Sequence, residues 1–199
     1  MAPRLAFGGV YARLLRCDGV EERVQLGSRV GFLALHGGLE PGTEGIAGVA
    51  AAASDASSYI VTQPRTLGWH VPSHHIRPGQ SAHLDGFLAH VEVVVSVHGY
   101  FRPEWPDAVY VGGANRALAA ALSARLRPVL PDLAVVDDLA LIPRALRGVD
   151  PRNPVNGTSG GGVQLELPHV ARLATSGLPT AAAARLTDVL SEFAVELAA

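Results

Sequence analysis

The chain reads as an α/β fold, a single domain with a mixed open β-sheet flanked by helices. Three observations predict it. Short apolar runs alternate along the chain with segments of helical period. The run at 30–35 is apolar on both faces, as a central strand covered on both sides must be. At 199 residues, with 48% apolar and 17% charged side chains, the chain can bury one real core and has no disordered composition.

The elements follow in order. The strand at 30–35 ends at His36 and the turn His36-Gly37-Gly38-Leu39-Glu40-Pro41-Gly42-Thr43. Thr43 is placed to cap a helix over 44–53, rich in small residues. Residues 58–62 read as a short strand broken by Gln63-Pro64, and 78–90 as a helix with apolar spacing at Leu84, Phe87 and Leu88. A strand over 92–97 ends at His98-Gly99, and another covers 108–111. The turn Gly112-Gly113 opens a helix over 115–126, and 133–136 reads as a strand. Two prolines and five glycines make 147–162 a loop. It leads into a strand at 163–167, with Val163, Leu165 and Leu167 on one face and Gln164 and Glu166 on the other. The last element, 180–197, is an amphipathic helix with Leu186, Val189, Leu190, Phe193 and Leu197 at the 3.6 period.

Composition excludes several classes. A net charge of −2 gives no basic face for nucleic acid or an anionic membrane, so neither is an expected partner. All 16 basic residues are arginine, which removes lysine as a base or Schiff-base residue. The one cysteine, Cys17, precludes an internal disulfide and a cysteine metal site. No run has the length of a membrane span. Residues 1–9 lack the apolar core of a secretory signal, so a cytoplasmic location is expected.

His36 and His98 each end an apolar strand and each precede a glycine. In open α/β sheets ligands sit at the carboxyl ends of strands, and glycine lets the backbone approach closely. Either histidine alone reads as a hydrogen-bonded structural residue. Together with Glu40 they form the ligand set of a zinc that leaves its fourth position to water. Such a zinc makes a nucleophile at neutral pH. The other reading of Glu40 is a first-turn acid of the following helix. Glu44, just after Thr43, suits that role better, so Glu40 is preferred as ligand. Glu166 is the candidate to carry the proton of the attacking water. The other reading of Gln164 and Glu166 is an edge strand with one solvated face, and periodicity does not choose between them. His70, His74, His75, His83 and His90 form a loose cluster, in which His70 follows an apolar stretch and is expected to face a site. Gly112-Gly113-Ala114-Asn115 can cradle an anion at a helix N-terminus, with Arg116 as a candidate for a substrate carboxylate. Its spacing is neither that of a dinucleotide fingerprint nor that of a P-loop.

Four strings occur in order: Leu35-His36-Gly37-Gly38-Leu39-Glu40-Pro41-Gly42-Thr43, Ser96-Val97-His98-Gly99-Tyr100, Tyr110-Val111-Gly112-Gly113, and Gly162-Val163-Gln164-Leu165-Glu166-Leu167-Pro168. With them the chain resembles the poly-γ-glutamate hydrolase family of bacteriophages and bacteria. The resemblance implies one α/β domain with a mixed open sheet, similar to zinc carboxypeptidases. It implies zinc held by His36, Glu40 and His98, Glu166 as catalytic base, and His70 and Ser73 lining the cleft. It also implies a polyanionic γ-glutamyl substrate, poly-γ-glutamate first. Many family members carry one more glycine between the histidine and glutamate of the first string; His-x-x-x-Glu here keeps Glu44 as an alternative ligand. The rival functions are a zinc amidohydrolase acting on N-acyl amino acids or peptidoglycan-type bonds, and a non-catalytic zinc- or anion-binding homologue. Nothing in the sequence bears on oligomeric state.

Overall fold

The structure is a computed structural model that describes residues 8–102 and 107–199. Its strands are β1 (Glu21–Gln25), β2 (Val30–Gly37), β3 (Ser57–Thr62), β4 (Val93–Gly99), β5 (Ala108–Gly112), β6 (Ala134–Val136) and β7 (Gly162–Leu167). Its helices are α1 (Val10–Leu14), α2 (Thr43–Ser54), α3 (Ala82–His90), α4 (Arg116–Val129) and α5 (Ala181–Ala198). All seven strands form one sheet in the order β1-β3-β2-β4-β7-β5-β6. The middle four run parallel; β1 is antiparallel to β3, and β5 is antiparallel to β7. This is the mixed open α/β sheet expected from the sequence.

Strand alternation divides the core in two. Phe32, Ala34, Val95, Val97, Val163, Leu165 and Leu167 pack under α2, α4 and α5. Leu33, Leu35, Tyr59, Val61 and Val94 face the other layer, with Tyr11, Leu14, Leu84 and Phe87 of α1 and α3. Val94 points to the α3 side, and side chains two apart share a face. Ser96 and His98 therefore lie on that side too, buried polar residues in line with an apolar one. Across the β4–β7 register, Ser96 pairs with Gln164 and His98 with Glu166. A polar stripe thus runs up two neighbouring strands to the carboxyl edge.

Four features decide between, differ from or add to the sequence reading. First, β7 is an interior strand between β4 and β5, buried along its whole length, so Gln164 and Glu166 are not a solvated edge face. Second, Thr43 does not cap α2. Gly42 holds the cap position with a φ of 95°, and the Thr43 hydroxyl donates to the Glu40 carbonyl at 2.8 Å. The Gly42 N–H is taken by the Glu44 carboxylate at 3.1 Å. Third, because β5 runs against β7, its carboxyl end and the turn after it lie at the opposite sheet edge from His36 and His98. Gly112 pairs with Gln164, and the Asn115 N–H reaches the Gly162 carbonyl at 3.1 Å, at the start of β7. Fourth, α1 and β1 precede the first element assigned from the sequence. Residues 1–7, part of the segment read for a secretory signal, lie outside the described residues. Among the described residues no helix is long and apolar enough to cross a membrane.

Candidate metal centre

The carboxyl ends of β2, β4 and β7 converge on one buried spot. After His36 the chain turns at once: the Glu40 N–H donates to the His36 carbonyl at 2.8 Å, which folds the carboxylate back onto the imidazole. Only glycine serves at position 38. Its φ is +76°, and a Cβ there would stand 2.0 Å from the Gln63 carbonyl oxygen. Glu40 Oε1 lies 2.9 Å from His36 Nδ1, and Glu40 Oε2 lies 3.3 Å from His98 Nδ1. The two Nδ1 atoms are 3.2 Å apart. The Gly99 N–H holds Oε2 in place at 2.9 Å.

This donor set fits a zinc ion. Tetrahedral zinc with bonds of about 2.0–2.1 Å sets its ligand atoms about 3.3 Å apart. Here the two Nδ1 atoms are 3.2 Å apart, and the two oxygens of Glu40 lie one against each of them, Oε1 at 2.9 Å from His36 and Oε2 at 3.3 Å from His98. The tautomer leaves the right nitrogen for a metal. His36 Nε2 lies 2.9 Å from the Val71 carbonyl, which can only accept, so Nε2 carries the hydrogen. The lone pair of Nδ1 then faces a carboxylate, a contact that needs a proton or a metal cation between the two. Such a carbonyl contact is the usual outer partner of a metal-bound histidine. Glu44, bonded to the start of α2, is engaged elsewhere.

Without a metal, the field of the cluster puts a proton in that place. Burial would push the His36 imidazole down, but the charge and hydrogen bond of Glu40 raise it above the ordinary histidine value. Burial would push the Glu40 carboxyl up, but His36 and His98 hold it well below the carboxylate range. Glu166 is raised well above that range, first by burial and then by the Glu40 charge. It is 6% exposed and accepts a hydrogen bond from Gln164 Nε2 at 2.8 Å. A bound dication would favour its ionised form.

The other expected residues divide. His70 stands beside the cluster, its ring 4.7 Å from that of His36, and its pKa is lowered by partial burial and by His36. Donor atoms of His36, Glu40 and His70 also lie within 4.8 Å of one another. His98 makes the tighter third corner and is buried, whereas His70 is exposed at the rim. Ser73 opens a short 3-10 turn two residues beyond Val71. Arg116 is not at this site. It sits past the antiparallel β5, and its guanidinium donates to the carbonyls of Val111, Gly113 and Asp137. It braces the turn into α4, and the Gly112-Gly113 cradle goes with it to the far edge.

The arginine at this edge is Arg172, which the sequence reading passed over. It is 3% exposed and donates to the Pro41 carbonyl at 2.7 Å and the Tyr100 carbonyl at 3.2 Å. It so ties the loop after Glu40 to the strand end after His98. A Cβ on Gly99 would stand 2.4 Å from its Cζ, so that glycine makes room for the guanidinium. Burial lowers the Arg172 pKa, and the charges of Glu40 and Glu166 oppose that. Its signal in the sequence was position: it is the first arginine after the strand that carries Glu166.

The fold is shared with known structures. A bacteriophage poly-gamma-glutamate hydrolase superposes with a TM-score of 0.74 at 20% identity, over 90% of this chain and 89% of that one. A zinc-free structure of YNDL gives 0.70 at 25% identity, over 88% and 89%. An N-formylglutamate amidohydrolase from Ralstonia eutropha JMP134 gives 0.52 at 9% identity, over 89% and 96%. No curated protein matches the chain by sequence. Residues 18–195, which hold every residue of the cluster, match the profile of poly-gamma-glutamate hydrolases, and the chain belongs to that family.

Proposed function

We propose that this protein is a zinc-dependent hydrolase that cleaves the γ-glutamyl amide bonds of poly-γ-glutamate. The observation that carries the reading is the buried triangle of His36, Glu40 and His98, with Glu166 in register with His98 on the next strand. Zinc bound there supplies a water of lowered pKa and a Lewis acid for the amide carbonyl.

The chain's own residues do the rest. Val71 and the His36–Glu40 turn hold the first two ligands, and β4 holds the third. The Glu166 carboxylate takes a proton from water as the oxygen bonds to the amide carbon. It returns that proton to the nitrogen as the C–N bond breaks, leaving a carboxylic acid and an amine. Buried Arg172 balances the two carboxylates and keeps the ligand loops together. His70 and Ser73 line the approach for the polymer.

The test is polymer length. Zinc-loaded protein should shorten poly-γ-glutamate on a sizing column, and chelated protein should not. Cleavage of small N-acyl glutamates with the polymer left intact would move the reading to a small-molecule amidohydrolase. No cleavage of either by zinc-loaded protein would refute it.

A further inference from the structure

Glu166 ends a chain of buried amides whose donor order is set from the backbone. The Val155 N–H donates to Asn153 Oδ1 at 3.3 Å, so the other face of that amide is its NH2 group. Asn153 Nδ2 donates to Gln164 Oε1 at 2.8 Å, and Gln164 Nε2 donates to Glu166 Oε1 at 2.8 Å. All three side chains are about equally buried, at 5%, 5% and 6% exposure. An amide alone can present either its oxygen or its nitrogen. Here the backbone N–H allows one order only, and a donor always faces the carboxylate.

The surroundings hold that order. Gly148, at φ +62°, packs on the Gln164 amide, where a Cβ would come within 2.6 Å of Oε1. Asn156 Nδ2 pins the same loop through the carbonyls of Gly148 at 2.8 Å and Asp150 at 2.9 Å. The loop between β6 and β7 thus ends as a clamp on Gln164.

The geometry points to Asn153 and Gln164 as positioning residues that fix the Glu166 carboxylate for proton transfer. The inference rests on the proposed role of Glu166. An amide turned the wrong way would set oxygen against oxygen and push the carboxylate out of place. Outer partners that orient a metal ligand commonly cost about 10- to 100-fold when changed, and partners that orient the base beside it are expected to act on the same scale.

Three variants test the order. Gln164→Met removes the donor at near-constant volume. Asn153→Asp keeps the shape but can only accept when ionised, and so turns Gln164 around. Asn153→Ala leaves a void and lets Gln164 take either orientation. On zinc-loaded protein, kcat should fall about 10- to 100-fold in Gln164→Met and Asn153→Asp, with KM and zinc content unchanged, and less in Asn153→Ala. If Asn153 only fills space, alanine is the worse substitution. That ranking, or full kcat in Gln164→Met, overturns the inference. A second readout needs no substrate: the side-chain amide resonances of Gln164 should shift in both Glu166→Ala and Asn153→Asp. Unmoved resonances overturn the relay, whereas a parent protein that cleaves nothing overturns the proposed function instead.

Discussion

Zinc should raise the melting temperature of this protein by about 10 °C, and His36→Ala should remove the rise. The proposed ligand atoms come from strand ends 62 positions apart, so the unfolded chain has no such site and binding there favours the folded state alone. A ligand present at about a thousand times its Kd stabilises by about 4 kcal/mol. A chain of 199 residues unfolds with an entropy of about 0.4 kcal/mol/K, at about 2.1 cal/mol/K per residue. The quotient is about 10 °C. The assay is calorimetry with and without buffered free zinc, on protein first stripped with chelator. His98→Ala should lose the rise as His36→Ala does, and His70→Ala should keep most of it, because His98 makes the tighter corner of the triangle. An equal rise in His36→Ala, or one that is lost in His70→Ala and kept in His98→Ala, would refute the assigned ligand set.

Three more expectations follow from the site. Glu166→Gln should keep zinc and lose about 10²- to 10⁴-fold in turnover, the usual worth of a general base. In chelator it should also flatten the pH dependence of stability. A carboxyl raised in the folded state contributes its full stabilisation below the ordinary carboxylate range and loses it as pH rises through the raised value. The parent should therefore fall behind Glu166→Gln as pH increases, and a constant gap in melting temperature across pH would contradict this. Arg172→Met should take a guanidinium donor from the half-buried Pro41 carbonyl and the buried Tyr100 carbonyl, costing up to about 1–3 kcal/mol each. Urea unfolding reads that loss, and zinc affinity should fall with it as the ligand loops separate. Arg116→Ala should lower stability yet leave KM for the polymer unchanged, since its guanidinium serves backbone carbonyls at the far edge; a large rise in KM would return it to the substrate site.

The site was legible where chemistry and strand ends coincide. His36 and His98 close apolar runs and precede glycine, and that pattern alone placed them at one sheet edge. Glu166 was only half legible. Alternation put it with Gln164 on one face of a strand, but whether that face meets solvent depends on β5 pairing beyond it, a long-range contact. Arg116 was misplaced for a related reason. A strand's sequence does not carry its direction, so the turn after β5 read like those after β2 and β4 until its antiparallel pairing sent it to the opposite edge. Strand β1, Glu-Glu-Arg-Val-Gln, has no apolar pattern because it is a largely exposed edge. It is held by its ladder to β3 and by Glu22, which accepts a hydrogen bond from the buried Tyr59 hydroxyl at 2.5 Å. Pairing, not local propensity, makes that strand. Residue type alone makes Thr43 a cap, whereas its hydroxyl serves the Glu40 turn.

The distance in sequence between the two histidines also governs how the protein matures. Parallel strands cannot be joined by a hairpin, so β2 and β4 meet only after the chain has made the crossovers through α2, β3 and α3. Contacts of such separation form late and slowly. Metal capture at the proposed centre would therefore be a late event in folding, and it would report that the centre of the sheet has assembled. A nascent chain stalled before β4 presents His36 and Glu40 without their partner and should release zinc readily. In the completed chain the proposed ligands and the centre of the sheet come together in one step.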